Sequence, residues 1–104
     1  QVACYVSSLT ISHAFYFLRK HVGQAKARQG IADLYEILEV LNVDSDTIKS
    51  SLNSNFKDFE DAIQYYSALD SGTIDVIVTR NQKDFRKSKI PIMSPETVLR
   101  LLWL

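Results

Sequence analysis

The sequence predicts an α/β protein with a small, mostly parallel sheet. Two short apolar runs, Ala3–Val6 and Ile74–Thr79, have the length and composition of buried strands. A third run, Ile90–Met93, contains a proline, which removes a ladder donor and is typical of an edge strand. Segments with helical apolar spacing lie between these runs, and strands that alternate with helices favour a parallel sheet.

The composition is that of a single soluble globular domain covering residues 1–104. Hydrophobic residues make up 46% of the chain, which argues against disorder. Lys and Arg together number 12, as do Asp and Glu, so the formal net charge is zero. This balance does not favour strong non-specific binding to nucleic acid by the protein as a whole, although a local patch can still provide it.

The single cysteine, Cys4, has no partner for an internal disulfide, which indicates a reducing, cytoplasmic location. We expect Cys4 to be a small core residue rather than a nucleophile. Apolar runs of membrane-spanning length and a signal segment are both missing from the sequence, so no membrane partner is expected.

The first predicted helix runs from Leu9 to Val22, and either Ser7 or Ser8 can cap it. Gly23 is expected to end it. A second helix is predicted from Gln24 to Leu41, with a brief edge strand at 40–43. The apolar stripes expected to face the core are Ile11, Ala14, Phe15, Leu18 and Val22 in the first helix and Ile31, Leu34, Leu38 and Leu41 in the second.

Two further helices precede the strand Ile74–Thr79. The polar cluster 44–47 predicts the start of a short helix, Ile48–Asn53. Asp58 is expected to cap the helix Phe59–Leu69. The stripe of that helix consists of Phe59, Ala62, Ile63, Tyr66 and Leu69.

After this strand, a basic loop covers Arg80–Lys89. Ser94, Pro95 and Glu96 then form a helix start, with a cap, a proline at the first position and an acid in the first turn.

The segment Thr79–Phe85, which directly follows the apolar run Ile74–Val78, carries the clearest functional pattern. It reads T-R-N-Q-K-D-F and sets a hydroxyl, an amide and a carboxylate close together in sequence. Open α/β sheets place their sites at the carboxyl ends of strands. The helix before this strand begins D-F-E-D-A-I, with carboxylates on its first turn.

An acid-bearing helix, a buried strand and then T-R-N-x-x-D-F together resemble the PIN-domain family of metal-dependent ribonucleases. Asp61 resembles the acid that the family carries on this helix. Asn81 and Asp84 resemble the pair in the loop after the family's fourth strand. Thr79 resembles the hydroxyl residue that opens that loop.

The resemblance extends over the rest of the chain. The segment 91–96 resembles the family's closing strand and last helix. Ser7–Ile11 resembles the segment that starts the helix carrying another acid. His13 stands where the family usually has Glu, so Ser8 and His13 are expected to line the site.

The resemblance implies a three-layer α/β/α fold and a catalytic centre of Asp61, Asp84 and Asn81. Asp61 and Asp84 are the implied ligands of Mg²⁺ or Mn²⁺, hard cations that prefer oxygen ligands. A metal-activated water would then hydrolyse the RNA phosphodiester bond. We expect the two carboxylates and the amide to converge, and at least one of the two acids to have a raised pKa.

The family's first acid lies on an N-terminal strand, in a segment like D-T-N that this sequence lacks. In the family that strand is central, between the strands that Ala3–Val6 and Ile74–Thr79 resemble. We therefore expect that Gln1 is not the true start and that a preceding segment supplies this strand and its aspartate. Activity is assigned to the full-length protein.

Each candidate residue also has a structural alternative. Asp61 could serve only the helix N-terminus, and Asn81 and Asp84 could serve only a turn. His13 lies among aromatic residues and could be buried and hydrogen-bonded. Tyr65 is expected to pack in the core or at its rim.

The loop after the strand is the densest basic segment in the chain. Such runs are usually solvated surface, but beside a phosphodiester-cleaving site they would also contact RNA phosphates. The residues expected to do so are Arg80, Lys83, Arg86 and Lys87.

The function implied by the resemblance is that of an endoribonuclease similar to the toxins of bacterial toxin–antitoxin pairs. RNA is the implied substrate, and a small antitoxin and a second copy of the chain are the implied protein partners. One alternative is a degenerate PIN-like domain that binds nucleic acid or a protein without catalysis. Another is a helix-rich interaction module whose caps mimic a site.

Overall fold

A computed structural model describes residues 2–103 of the chain. Within this range it contains five α-helices, one 3₁₀ helix and four strands, and the strands form parallel pairs. The predicted α/β class with small parallel sheets is therefore confirmed. Gln1, on which the expectation of a preceding strand rests, lies outside the described residues.

The chain divides into two compact units, Gln1–Val43 and Asp44–Leu104, and each unit has its own pair of strands. Between residues 2 and 103, no helix is both long and apolar enough to cross a membrane.

The N-terminal unit is built from two strands and the two helices between them. Strand β1 is parallel to β2, and Tyr5, Val6 and Ser7 align with Glu39, Val40 and Leu41. The elements are β1 (Tyr5–Ser7), α1 (Ser8–Val22), α2 (Gln24–Ile37) and β2 (Glu39–Leu41).

Local signals fix both ends of α1. The Ser7 side chain accepts a hydrogen bond from the Thr10 backbone N–H at 3.2 Å, so Ser7 rather than Ser8 is the cap. Gly23 ends the helix with φ of 84°, a left-handed value that favours glycine. The chain can turn directly into α2 at this residue.

Three expectations for this unit are wrong. Helix α2 ends at Ile37 and not at Leu41, because Leu38 is extended and the next three residues pair with β1. Leu34 and Val22, predicted to face the core, are exposed, as is Cys4. Two helices and one short strand pair provide few neighbours that could cover them.

The C-terminal unit contains the remaining strands and helices. Strand β3 is parallel to β4, with Ile77 opposite Ile92 and Val78 opposite Met93. The elements are α3 (Ser45–Leu52), α4 (Phe59–Ser71), β3 (Ile77–Val78), the 3₁₀ helix Gln82–Phe85, β4 (Ile92–Met93) and α5 (Pro95–Trp103).

Side-chain caps begin all three α-helices of this unit. Asp44 accepts from the Thr47 N–H at 3.0 Å, and Asp58 accepts from the Asp61 N–H at 3.0 Å. Ser94 accepts from the N–H of residue 97 at 3.1 Å. The capping by Asp58 and Ser94 is as predicted, and α3 begins three residues earlier than expected because Asp44 is its cap.

The core of this unit lies along α4, whose buried face includes Ala62, Ile63, Tyr65 and Ala68. The expected packing role of Tyr65 is confirmed. Phe59 was predicted to join this face but is 45% exposed. Phe59 is the first residue of α4, so no earlier helical turn is present to cover its ring.

The cap of α1 provides a direct test of the fold. We expect Ser7→Ala to lower the free energy of unfolding by about 1 kcal/mol, because the Thr10 N–H loses its acceptor. The matched control is Ser8→Ala, which removes the neighbouring hydroxyl and should change stability little. Urea denaturation of both variants measures the difference, and equal losses would contradict the assignment of the cap.

Candidate active site

Three polar side chains of the C-terminal unit meet beside the first turn of α4. The Asn81 amide Nδ2 donates a hydrogen bond to Asp61 Oδ2 at 2.9 Å and another to Asp84 Oδ2 at 2.5 Å. The two carboxylates are thus held by one amide group. The predicted convergence is observed, while the catalytic and metal-binding roles of these residues stay predictions.

The start of α4 determines how Asp61 is used. Asp58 caps the helix by accepting from the Asp61 backbone N–H, so the cap does not require the Asp61 carboxylate. That carboxylate instead contacts Asn81, 20 residues further along the chain. Asp61 therefore does more than complement the helix N-terminus.

The end of β3 positions Asn81. Thr79 Oγ1 accepts from the Asn81 N–H at 3.0 Å, which fixes the backbone directly after the strand. The Asn81 carbonyl then accepts from the Asp84 N–H at 3.2 Å, within a 3₁₀ turn. Asn81 has φ of −99°, so a left-handed conformation does not explain why asparagine stands here.

The environment of Asp61 raises its pKa above the ordinary value of 3.8. Partial burial is the main cause, since removing a carboxylate from water disfavours its charged form. The hydrogen bond from Asn81 opposes this effect, and the negative charges of Asp58 and Asp84 add to it. The expected direction is found at one of the paired acids, although burial, and not repulsion between Asp61 and Asp84, is the main cause of the raised pKa.

The donor set fits a hard divalent cation. The two carboxylates offer oxygen ligands, which Mg²⁺ and Mn²⁺ prefer, and such ions keep several waters. The N–H₂ group of Asn81 brings partial positive charge between the two acids, as a cation would. Across residues 2–103, no group of three or more His, Cys, Asp or Glu side chains has a metal-binding arrangement. Water ligands would therefore have to complete the coordination.

Ser8 and His13 belong to the N-terminal unit, where both lie on α1. His13 is exposed, so the alternative of a buried histidine is wrong. Their contribution to the site in the C-terminal unit stays a prediction.

The basic residues of the loop fall into two groups. The Arg80 guanidinium donates to the Glu96 carboxylate at 2.9 Å, and both side chains are more than half exposed. The pKa of Glu96 is lowered by a hydrogen bond from the Glu96 backbone N–H and by the positive charge of Arg80. The other predicted phosphate contacts, Lys83, Arg86 and Lys87, line a cavity of about 400 Å³.

Sequence reasoning missed part of this cavity. Lys57, Phe56 and Tyr66 line it with the loop residues, and Asp84 also lies in its wall. Lys57 directly precedes the cap of α4, but nothing in the sequence links it to a loop about thirty residues later. Only the packing of the unit brings them together.

The comparison with known families agrees with this geometry. The sequence pattern described as PIN domain matches residues 1–83. The match covers well over half of the chain, and the chain therefore belongs to the PIN domain family.

Membership of the PIN domain family assigns the chain to a nuclease superfamily whose members generally use divalent metal ions, and it indicates nucleic-acid binding. The matched range includes Asp61 and Asn81 and ends one residue before Asp84. Comparison with curated proteins gives no match.

The raised pKa of Asp61 predicts a specific dependence of stability on pH. The folded protein holds this proton more tightly than the unfolded chain, for which 3.8 is the ordinary value. The contribution of Asp61 to the free energy of unfolding should therefore fall as pH rises from about 3.8 to the raised pKa. In Asp61→Asn this contribution should disappear, and stability at neutral pH should be unchanged or higher. Urea denaturation across pH measures both effects.

The contrasting variant for this test is Asp58→Ala, which removes the cap and should lower the free energy of unfolding by about 1 kcal/mol. Strong destabilisation by Asp61→Asn would instead show that its carboxylate has a structural role.

Proposed function

We propose that this protein is a metal-dependent endoribonuclease of the toxin type, which hydrolyses RNA phosphodiester bonds. One observation carries the proposal: in a PIN domain chain, the Asn81 amide joins the Asp61 and Asp84 carboxylates directly after a parallel strand. This placement agrees with the general position of sites at the carboxyl ends of strands in α/β sheets.

Asp61 and Asp84 would hold the ion, and Mg²⁺ or Mn²⁺ suits their oxygen ligands. When bound, such an ion supplies charge neutralisation at the phosphate and lowers the pKa of a coordinated water. Asn81 keeps the two acids together before an ion binds, since its amide offsets part of their mutual repulsion.

The proton on Asp61 links ion binding to pH. A carboxylate must be deprotonated to act as a ligand, and the pKa of Asp61 is raised. Protons therefore compete with the ion at this residue, and the affinity for the ion should increase as pH rises through that pKa.

The cationic loop would contact the substrate backbone. Lys83, Arg86 and Lys87 are exposed and lie on the same short segment as Asp84. Ionic contacts of this kind neutralise phosphates without reading sequence, so substrate binding should weaken with salt.

A small antitoxin and a second copy of the chain are the proposed protein partners. The N-terminal unit supports this proposal because it exposes large apolar side chains. Phe17 is 64% exposed, Tyr35 66% and Ile37 73%. Exposed apolar patches often mark protein–protein contacts.

Nuclease assays test the proposed activity. We expect the full-length protein to cleave labelled single-stranded RNA with Mg²⁺ or Mn²⁺ and to lose this activity in EDTA. Asp61→Asn and Asp84→Asn should each reduce cleavage by on the order of a hundredfold or more, since each removes an ion ligand. The matched control is Asp75→Asn, which changes an exposed acid of the same unit and should leave the rate unaltered.

A second readout is binding of Mn²⁺ by calorimetry, which both site variants should weaken and the control should not. RNA binding without any metal-dependent cleavage would reject the nuclease and leave the non-catalytic PIN relative.

A further inference from the structure

The cavity of the C-terminal unit concentrates positive charge. Its wall contains five cationic side chains and a single carboxylate, that of Asp84. The cations are Lys57, Lys83, Arg86, Lys87 and Lys89. Because the chain as a whole has formal net charge zero, this is a local excess that composition does not explain. Like charges in one concave wall repel each other, and an anionic ligand would relieve that repulsion.

Aromatic rings form the apolar part of the same wall. Phe56 and Tyr66 are half-buried, and both line the cavity. Two buried rings pack against Phe56: its centroid lies 5.4 Å from that of Tyr65, which also lines the cavity, and 5.5 Å from that of Phe85. A ring fixed in this way can stack against a planar ligand without first losing conformational freedom.

The basic loop is attached to α4 on this side of the unit. The Tyr65 hydroxyl, on a residue only 5% exposed, accepts a hydrogen bond from the Lys89 backbone N–H at 3.0 Å. The buried ring of Phe85 holds the loop at a second point. These contacts keep the cationic and aromatic parts of the wall in a fixed relation.

Asp84 connects the cavity with the candidate active site, because it lines the cavity and also accepts from Asn81. A ligand in the cavity would therefore lie beside the paired carboxylates. Cations and stacking rings in one small cavity match the two chemical parts of a nucleotide, its phosphate and its base.

From this geometry we propose that the cavity is a subsite for one nucleotide of single-stranded RNA, next to the bond that is cleaved. The proposal rests on the proposed nuclease function. The phosphate contacts the lysine and arginine side chains, and the base stacks on Phe56 and Tyr66. Bases in a duplex have both faces covered by their neighbours, so only an unpaired base can occupy the subsite.

Binding measured without metal tests the cationic part. Fluorescence anisotropy in EDTA, across a series of salt concentrations, gives the affinity for a labelled RNA strand and for its duplex. We expect single-stranded RNA to bind more tightly than the duplex. Lys57→Gln should weaken binding of the single strand and reduce the slope of log K against log salt by about 0.7, the value for one phosphate contact.

Lys49→Gln is the matched control, since Lys49 is an exposed lysine of the same unit outside the cavity. It should leave both the affinity and the slope unchanged. Equal effects of the two variants, or equal binding of strand and duplex, would overturn the proposal.

The aromatic part is tested by Tyr66→Leu, which removes the stacking face and keeps apolar volume. We expect about tenfold weaker binding of the single strand, with the salt slope unchanged. Circular dichroism checks that the variant is folded. A folded Tyr66→Leu variant with unaltered affinity would overturn the stacking of the base. If this variant does not fold, the subsite is judged from Lys57→Gln, whose exposed position should not affect folding, by the slope of log K against log salt.

These measurements separate failure of the subsite from failure of the nuclease. RNA binding that depends on Lys57, without cleavage of RNA in any divalent metal, rejects the proposed activity and keeps the subsite. If Asp61→Asn abolishes a metal-dependent cleavage but Lys57→Gln leaves RNA binding unchanged, the proposed activity is kept and the subsite is rejected.

Discussion

The arrangement of the candidate site depends on one amide group. Asn81 donates to an acid on α4 and to an acid in the 3₁₀ turn, and so it joins two segments that are distant in sequence. Two carboxylates this close would otherwise repel each other. The neighbouring interactions serve to hold the three groups: Asp58 caps the helix under Asp61, and Thr79 fixes the backbone of Asn81.

The short strand β3 fixes the backbone that leads into the candidate site. Ile77 donates to the Pro91 carbonyl and Thr79 donates to the Met93 carbonyl, so β4 determines where the paired stretch ends. Thr79 is thus the last residue whose backbone the sheet holds and the first whose side chain shapes the site. Through this residue the sheet positions Asn81, although Asn81 itself does not lie on a strand.

Local chemistry made much of this structure predictable from the sequence. The caps at Asp58 and Ser94 depend on residues a few positions apart, and the contact among the candidate acids follows a recognisable motif. Exposure and strand length were predicted less well, because they depend on which segments happen to pack together. Phe59 keeps helical spacing with the core face yet lies at its uncovered end, and Lys57 reaches the cavity only through folding.

The adjacency of Asp84 and Phe85 has a consequence for how this protein can change over evolutionary time. Phe85 is 3% exposed, and the neighbouring carboxylate leaves the same tight turn toward Asn81. A substitution that shifts the ring would also strain the 3₁₀ turn that carries the acid. Exchange of Phe85 for another apolar residue of similar volume is therefore more restricted than at an ordinary core position. A substitution of Phe85 that leaves the fold intact would still be subject to selection if it moved the Asp84 carboxylate and changed the activity of the site.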